Sequence, residues 1–346
     1  MTDHADPDAV LREFLAQGAA HSDTLGAPYR HLWTDLATAT TGGKRFRPTL
    51  LLGTYRAYGG TDDRLAATVA GAVELLHTAF VVHDDVIDGD LTRRGRPNVS
   101  GAAAGRARAA GAGEAGARAY ADTSGILAGD LALVGALRAV SLCGAPTATV
   151  RRLHDLVDRA VHASAAGELA DVGLSVGIGD ATVDDVLRTA ELKTAAYSFT
   201  LPLQAGAVLA GADDRVVRRL GEVGRLVGVA FQLQDDVIGM FGDEAQSGKS
   251  CLTDLREGRQ TALVAHARTT TAWPSIAPFH GCADLTREQA DDVCGLLEAC
   301  GSRRFVEGLV RSRLRLALDV AGVLGLPAEL FDWVGARTEG LLRSAA

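Results

Sequence analysis

Two carboxylate clusters end long apolar runs in this sequence. The first is Ala79-Phe80-Val81-Val82-His83-Asp84-Asp85-Val86-Ile87-Asp88, with Arg93 and Arg94 close behind. The second is Phe231-Gln232-Leu233-Gln234-Asp235-Asp236-Val237-Ile238-Gly239. On a helix Asp84 and Asp88 lie one turn apart on one face, with Asp85 beside them. Their charges repel unless a cation sits among them. Donors that are all oxygen, with no Cys and no His among them, suit a hard cation, magnesium before calcium or zinc. Two clusters of the same kind predict two acidic walls facing each other across one cavity. A solvated helix end is the plainer explanation for either cluster alone, and the repetition argues against it.

Cations recur at defined places. Gly42-Gly43-Lys44-Arg45-Phe46-Arg47 sets two glycines before three cations in four residues. Such a stretch can cradle a phosphate with backbone N–H groups and charge, although taken alone a solvated basic turn is the plainer account of it. His77 precedes Asp84 by seven residues, two helical turns, so it faces the carboxylates and points to a ligand. His83 sits about a quarter turn away and reads as structural. Lys193, in Glu191-Leu192-Lys193-Thr194, is a surface lysine by default until a partner anion is found.

These residues need helices to position them. The 346 residues are 47% hydrophobic but only 5% aromatic, rich in Ala and Leu, with nine prolines, a helical composition. Helical periodicity runs over Ala9 to Ala16, Leu32 to Leu36, Thr49 to Tyr58, Leu65 to the first acidic cluster, Val150 to Val172 and Val216 to the second. Thr182 is placed to cap a helix with Asp185 in its first turn. Gly42-Gly43 should stop the helix before them. With no strand alternation, the chain reads as one all-α domain over residues 1–346, with a flexible N-terminus over about 1–20. The Ala/Gly/Arg-rich stretch 101–120 reads as a surface insertion or loop. The net charge of -8 and the lack of a basic block argue against nucleic acid as the main partner. Five cysteines without CxxC spacing suggest neither a disulfide framework nor a zinc site. The N-terminus has no signal-peptide pattern and no uninterrupted apolar run reaches ~18 residues, so a soluble cytoplasmic protein without a membrane span is expected.

Taken together, GGKRFRP, HTAFVVHDDVID, RRGRP, LAGD, KT, FQLQDDVIG, and GK before DLREG occur in an order that resembles the trans-isoprenyl diphosphate synthases, the polyprenyl synthetase family. The resemblance covers roughly Leu32 to the C-terminal helices. It implies the isoprenoid synthase fold, helices bundled around a deep central cavity, usually as a homodimer. It also implies coupling of isopentenyl diphosphate to an allylic diphosphate with three Mg2+ ions. Matched residue by residue, Asp84, Asp85 and Asp88 would hold magnesium on the allylic diphosphate, with Asp235 and Asp236 on the opposite wall. Arg93, Lys193 and Lys249 would grip that diphosphate. Lys44, Arg47, His77 and Arg94 would hold isopentenyl diphosphate, with Phe231 beside its tail. Thr194 and Gln232 would line the developing carbocation. No side chain looks like a dedicated general base, so the released diphosphate is expected to take the proton.

Product length in that family follows from how far the chain grows along the helix below Asp84, at about 5.4 Å per turn. Small Ala79 leaves the first barrier open, and bulky Phe80, with Leu76 behind it, blocks the next turn. A twenty-carbon geranylgeranyl product is expected, with farnesyl or a twenty-five-carbon chain next, unless Phe80 packs against a neighbouring helix instead. The sequence departs from the pattern at Gly239, where many members have a third Asp, at Arg259 for Lys, and at Glu168 for Gln. A class I terpene cyclase on the same fold would not need a second diphosphate site. A non-catalytic subunit of a heteromeric synthase would be expected to have lost an acidic cluster or several cations.

Overall fold

In a computed structural model the chain is described over residues 6–179, 181–242 and 251–334. The first compact unit comprises Met1–Asp155 and Ala205–Ala212, the second Leu156–Gln204 and Asp213–Ala346. The fold is all-α. Among the described residues the exception is an antiparallel pair of two-residue strands, β1 (Thr92–Arg93) and β2 (Arg96–Pro97).

The first unit begins with α1 (Pro7–Leu25), α2 (Ala27–Thr40), α3 (Phe46–Ala57) and α4 (Asp63–Asp88). After the strands come α5 (Val99–Ala109), α6 (Glu114–Ser141) and the start of α7 (Thr147–Ser175). Asp62 starts α4 by accepting the Leu65 N–H, and Gly89 ends it in the left-handed region at φ 73°. Leu36, Leu50, Leu51, Leu75 and Leu76 are almost completely buried. Each such leucine contributes about 1.5–3 kcal/mol of apolar transfer.

Two expectations from composition are corrected here. The flexible start expected over about 1–20 is helical from Pro7 onward, in keeping with the repeat over Ala9 to Ala16, because Asp6 caps α1 by accepting the Asp8 N–H and Leu11 is buried. The stretch 101–120 is likewise helical, divided between α5 and the first turns of α6. Asn98 caps α5, Ala103 and Ala104 are buried, and Arg106 pairs with Asp35. An Ala-rich segment has high helix propensity, so a cap and a few buried methyl groups suffice to order it. The hydropathy expectation also needs refining. Both α4 and α6 are long and apolar enough to cross a membrane, although 72% of the apolar window of α4 is buried inside the protein and 44% of that of α6.

The second unit contains the rest of α7, then α8 (Val183–Ala190), a π-helical segment (Glu191–Thr200), part of α9 (Leu201–Leu209) and α10 (Asp214–Phe241). It continues with α11 (Cys251–Arg256), α12 (Ala262–Ala267), α13 (Trp273–Ile276), α14 (Arg287–Ala299) and α15 (Ser302–Val323). Thr182 and Asp185 form the expected reciprocal cap on α8. The π segment lies directly on α10, because Gly224 and Gly228 offer no side chain there. A Cβ at Gly228 would stand 2.4 Å from that of Ala195. The core gathers Val229, Leu233 and Val237 of α10 with Val306 and Val310 of α15 and Leu255 of α11.

Candidate active site

In the first unit the end of α4 carries the first acidic cluster. Asp85 is buried, Asp84 is 26% exposed and Asp88 is open to solvent. Arg93, on the β1 strand, donates through Nε to Asp85 Oδ1 at 2.7 Å, and its Nη2 reaches Asp84 Oδ2 at 3.4 Å. Burial raises the Asp85 carboxyl above its ordinary range, and the Arg93 hydrogen bond and charge work against that rise. For Arg93 burial acts downward, yet the bond to Asp85 and the charges of Asp85, Asp84 and Asp90 outweigh it and raise its pKa.

The cations of this unit converge as well. Arg94 has a left-handed backbone at φ 54° and donates to the Thr41 carbonyl at 3.4 Å. Its guanidinium lies against the glycine pair, 3.2 Å from where a Gly42 Cβ would stand and 3.5 Å from that of Gly43. Arg47 is buried at the start of α3 with its guanidinium over the Phe46 ring, and Lys44 is exposed. His77 feels arginines of this unit. Burial first, then the charges of Arg47, Arg93, Arg94 and Arg45, hold it well below the usual imidazole range, so it is neutral near pH 7. A neutral imidazole among guanidinium groups is a setting that favours an anion. His83, by contrast, bonds the Ile126 carbonyl at 3.2 Å and packs on Gly129 of α6, the structural part expected for it.

Helix α4 also places the residues expected to govern length. Ala79 is completely buried in a core cluster with Leu36, Val82, Ala128 and Ala132, and Leu76 is buried too. Phe80 is only partly buried.

In the second unit Lys193 is not a surface lysine: its ammonium donates to Glu168 at 3.0 Å and to Asp171 at 2.7 Å. Thr194 donates to Gln232 Oε1 at 2.9 Å, and Gln232 donates onward to Asp236 at 3.0 Å. The π segment is what sets Lys193 and Thr194 against α7 and α10 respectively, a use of wide helical turns that recurs at functional sites. Phe231 contacts Phe199 and Trp333, with ring centroids 5.4 Å and 5.8 Å away. At Gly239 the space a Cβ would enter is taken by Asp254, whose Oδ2 lies 2.8 Å from that position. Arg259 pairs with Glu257 at 2.7 Å and lies 3.6 Å from Asp254. Lys249 falls outside the described residues.

Sequence reasoning gave no role to Asp171 and Asp254, and counted Arg45 only as one of three cations in the basic loop. The i, i+3 spacing of Glu168 and Asp171 on one helix was an available signal, whereas nothing local in sequence ties Asp254 to Gly239. Among the described residues no group of three or more His, Cys, Asp or Glu forms a ready-made metal cage. Carboxylates at a helix end still fit magnesium, which is ordinarily held by one or two carboxylates, several waters and substrate phosphates.

A model of the polyprenyl synthetase family matches residues 31–277. A geranylgeranyl diphosphate synthase of Sulfolobus acidocaldarius is 35% identical over 65% of this chain, and the match spans 63% of that protein. A (2E,6E)-farnesyl diphosphate synthase of Mycobacterium tuberculosis is 30% identical over 96% of this chain and 86% of its own length. Among solved structures, a geranylgeranyl pyrophosphate synthase from Corynebacterium glutamicum, complexed with isoprenyl diphosphate and magnesium, superposes with a TM-score of 0.86 at 28% identity. The superposition covers 98% of this chain and 97% of that one.

Proposed function

We propose, for a chain that belongs to the polyprenyl synthetase family and is a trans-prenyltransferase, that it extends an allylic diphosphate with isopentenyl diphosphate to a twenty-carbon product. The observation that carries the reading is the set of guanidinium groups, Arg47, Arg93 and Arg94, acting on the neutral His77 of α4, with Arg93 also bonded to the Asp85 and Asp84 carboxylates at the end of that helix. One anion stabilised against those carboxylates needs a divalent ion. A second anion can be held by the cations alone, so the unit has means for two diphosphates. That is the need of a condensing enzyme and not of a cyclase.

In this reading Asp84, Asp85 and Asp88, with Asp235 and Asp236, hold magnesium, which when bound supplies charge stabilisation for the departing diphosphate. Arg93 and Lys193 grip that diphosphate, exchanging their carboxylate partners for it. Lys249 joins them by resemblance. Lys44, Arg47, His77 and Arg94 orient isopentenyl diphosphate, and Phe231 shields its tail from water. The Thr194 and Gln232 oxygens face the carbon that becomes positive. Incubating the purified protein with magnesium, labelled isopentenyl diphosphate and each allylic primer tests the reading. Release of hydrocarbon without isopentenyl diphosphate would sink it in favour of cyclisation, and inactivity of the purified chain alone would favour a subunit role.

Product length is assigned to Phe80, which is four residues, about one turn, below Asp84 and only partly buried. Phe80→Ala is expected to lengthen the main product by one five-carbon unit, read by mass spectrometry of the dephosphorylated alcohols. An unchanged product would remove Phe80 from the argument. Pairing with a second copy is part of the proposal. Tyr120, Leu127 and Val134 recur every seven residues on α6 and are 37%, 49% and 62% exposed, an apolar stripe suited to a twin. Sedimentation should therefore give a particle of two 36.0 kDa chains; a single-chain mass would exclude it. A cytoplasmic setting is proposed too, supported by described cysteines that are thiols rather than disulfides.

A further inference from the structure

One cation of the basic loop points inward. Arg45, between exposed Lys44 and buried Arg47, has a left-handed backbone at φ 50°, ψ 32°. A residue with a β-carbon stays there only when its surroundings hold it. Its guanidinium is held on three sides. Nη1 donates to Glu74 Oε1 at 2.7 Å, Nη2 donates to the Thr40 carbonyl at 2.8 Å, and Nε forms an ion pair with Asp8 Oδ1 at 2.9 Å. The Arg45 carbonyl in turn accepts the Thr49 N–H at 3.1 Å and its hydroxyl at 3.0 Å, closing the first turn of α3.

The anchors come from two helices. Glu74 is 4% exposed and lies one turn before His77 on α4. Asp8 lies on α1, outside the 31–277 span matched by the family. Helix α1 comes this close because residue 71 of α4 has no side chain. A Cβ there would stand 2.6 Å from the Pro7 carbonyl oxygen and 2.6 Å from Val10 Cβ.

We propose that Asp8 and Glu74 jointly fix Arg45, and that this three-way ion pair positions Lys44 and Arg47 for the diphosphate of isopentenyl diphosphate, making α1 part of the substrate site. The inference rests on the assignment of Lys44 and Arg47 made above. The physical case is one of charge. Arg45 adds a third positive charge to a loop that already carries Lys44 and Arg47, and its ion pairs with Glu74 and Asp8 neutralise it there. Glu74 and Asp8 hold Arg45, and the loop fixed in this way carries exposed Lys44 just before it and Arg47, its guanidinium over Phe46, just after it. Arg45 is thus a positioning residue that touches no substrate.

Asp8→Asn, Glu74→Gln and Arg45→Lys in the full chain test this. Readouts are KM for isopentenyl diphosphate, KM for the allylic primer, calorimetric binding of isopentenyl diphosphate, and melting temperature. Asp8 is 41% exposed, so Asp8→Asn should fold normally even if Glu74→Gln does not. Asp8→Asn is expected to raise KM for isopentenyl diphosphate about three- to tenfold and leave the allylic KM within about twofold. Arg45→Lys should behave alike, since one arm cannot replace three. Wild-type affinity for isopentenyl diphosphate in both variants would overturn the proposal, as would an equal rise in both KM values with a lowered melting temperature. Lys44→Ala and Arg47→Ala separate the two levels of the argument. If they leave isopentenyl diphosphate binding intact, the site assignment itself falls. If they weaken it while Asp8→Asn and Arg45→Lys do not, only the positioning role falls.

Discussion

Replacing Asp84 by Asn is expected to lower kcat by about three orders of magnitude, the scale for removing one preorganised group that stabilises charge on a departing anion. Asn keeps the size of the side chain and one oxygen, so the end of α4 should be undisturbed. Asp84 is partly exposed and meets Arg93 only at 3.4 Å, which limits the cost to folding. KM for isopentenyl diphosphate should change by no more than about twofold, because the residues proposed to hold it, Lys44, Arg47, His77 and Arg94, retain their places. Steady-state kinetics with each substrate varied in turn separates the two quantities. A kcat within tenfold of wild type would take Asp84 out of the catalytic set.

The second large effect concerns stability. Arg93→Leu leaves the buried Asp85 carboxylate without the guanidinium that lies 2.7 Å from it. Removing one partner of a fully buried ion pair typically costs about 3–5 kcal/mol, and because Arg93 is 37% exposed the cost here is discounted to about 1–3 kcal/mol. Urea unfolding should show a loss of that size in Arg93→Leu. The double variant Asp85→Asn with Arg93→Leu should recover most of it, since Asn carries no charge to strand. A single variant as stable as wild type would mean that the pair contributes nothing to the fold, and no recovery in the double variant would place the cost elsewhere.

Much of this was legible before any coordinates, for physical reasons that differ residue by residue. The α4 and α10 helices announce themselves because an apolar 3.6-residue repeat must bury a face, and their acidic ends follow from where that repeat stops. Spacing on one helix also aligned His77 with Asp84. Contacts between elements could not be read this way. That Asp254 sits over Gly239, or that Glu168 and Asp171 share Lys193, depends on tertiary packing of helices apart in sequence. The repeat over Ala9 to Ala16 did mark α1, but the flexible start expected over about 1–20 and the loop expected over 101–120 were misjudged for another reason. Low hydrophobicity suggests disorder only when nothing caps the segment, and here Asp6 and Asn98 do. Arg45 was counted only as one of three cations in a phosphate cradle or basic turn, because a positive φ leaves no trace in a residue with a side chain.

The π-helical run over Glu191–Thr200 has an implication for how this chain can vary. Such a run amounts to an ordinary helix that has absorbed an extra residue. Losing one residue there would not unravel the segment; it would let tighter winding return and swing the side chains upstream by roughly 100° against those downstream. Lys193 and Thr194 would then leave their partners on α7 and α10 while Phe199 kept its own. Length across these ten positions is therefore under tighter constraint than their composition suggests, and an alignment gap placed there would mark a chain that has changed its trade.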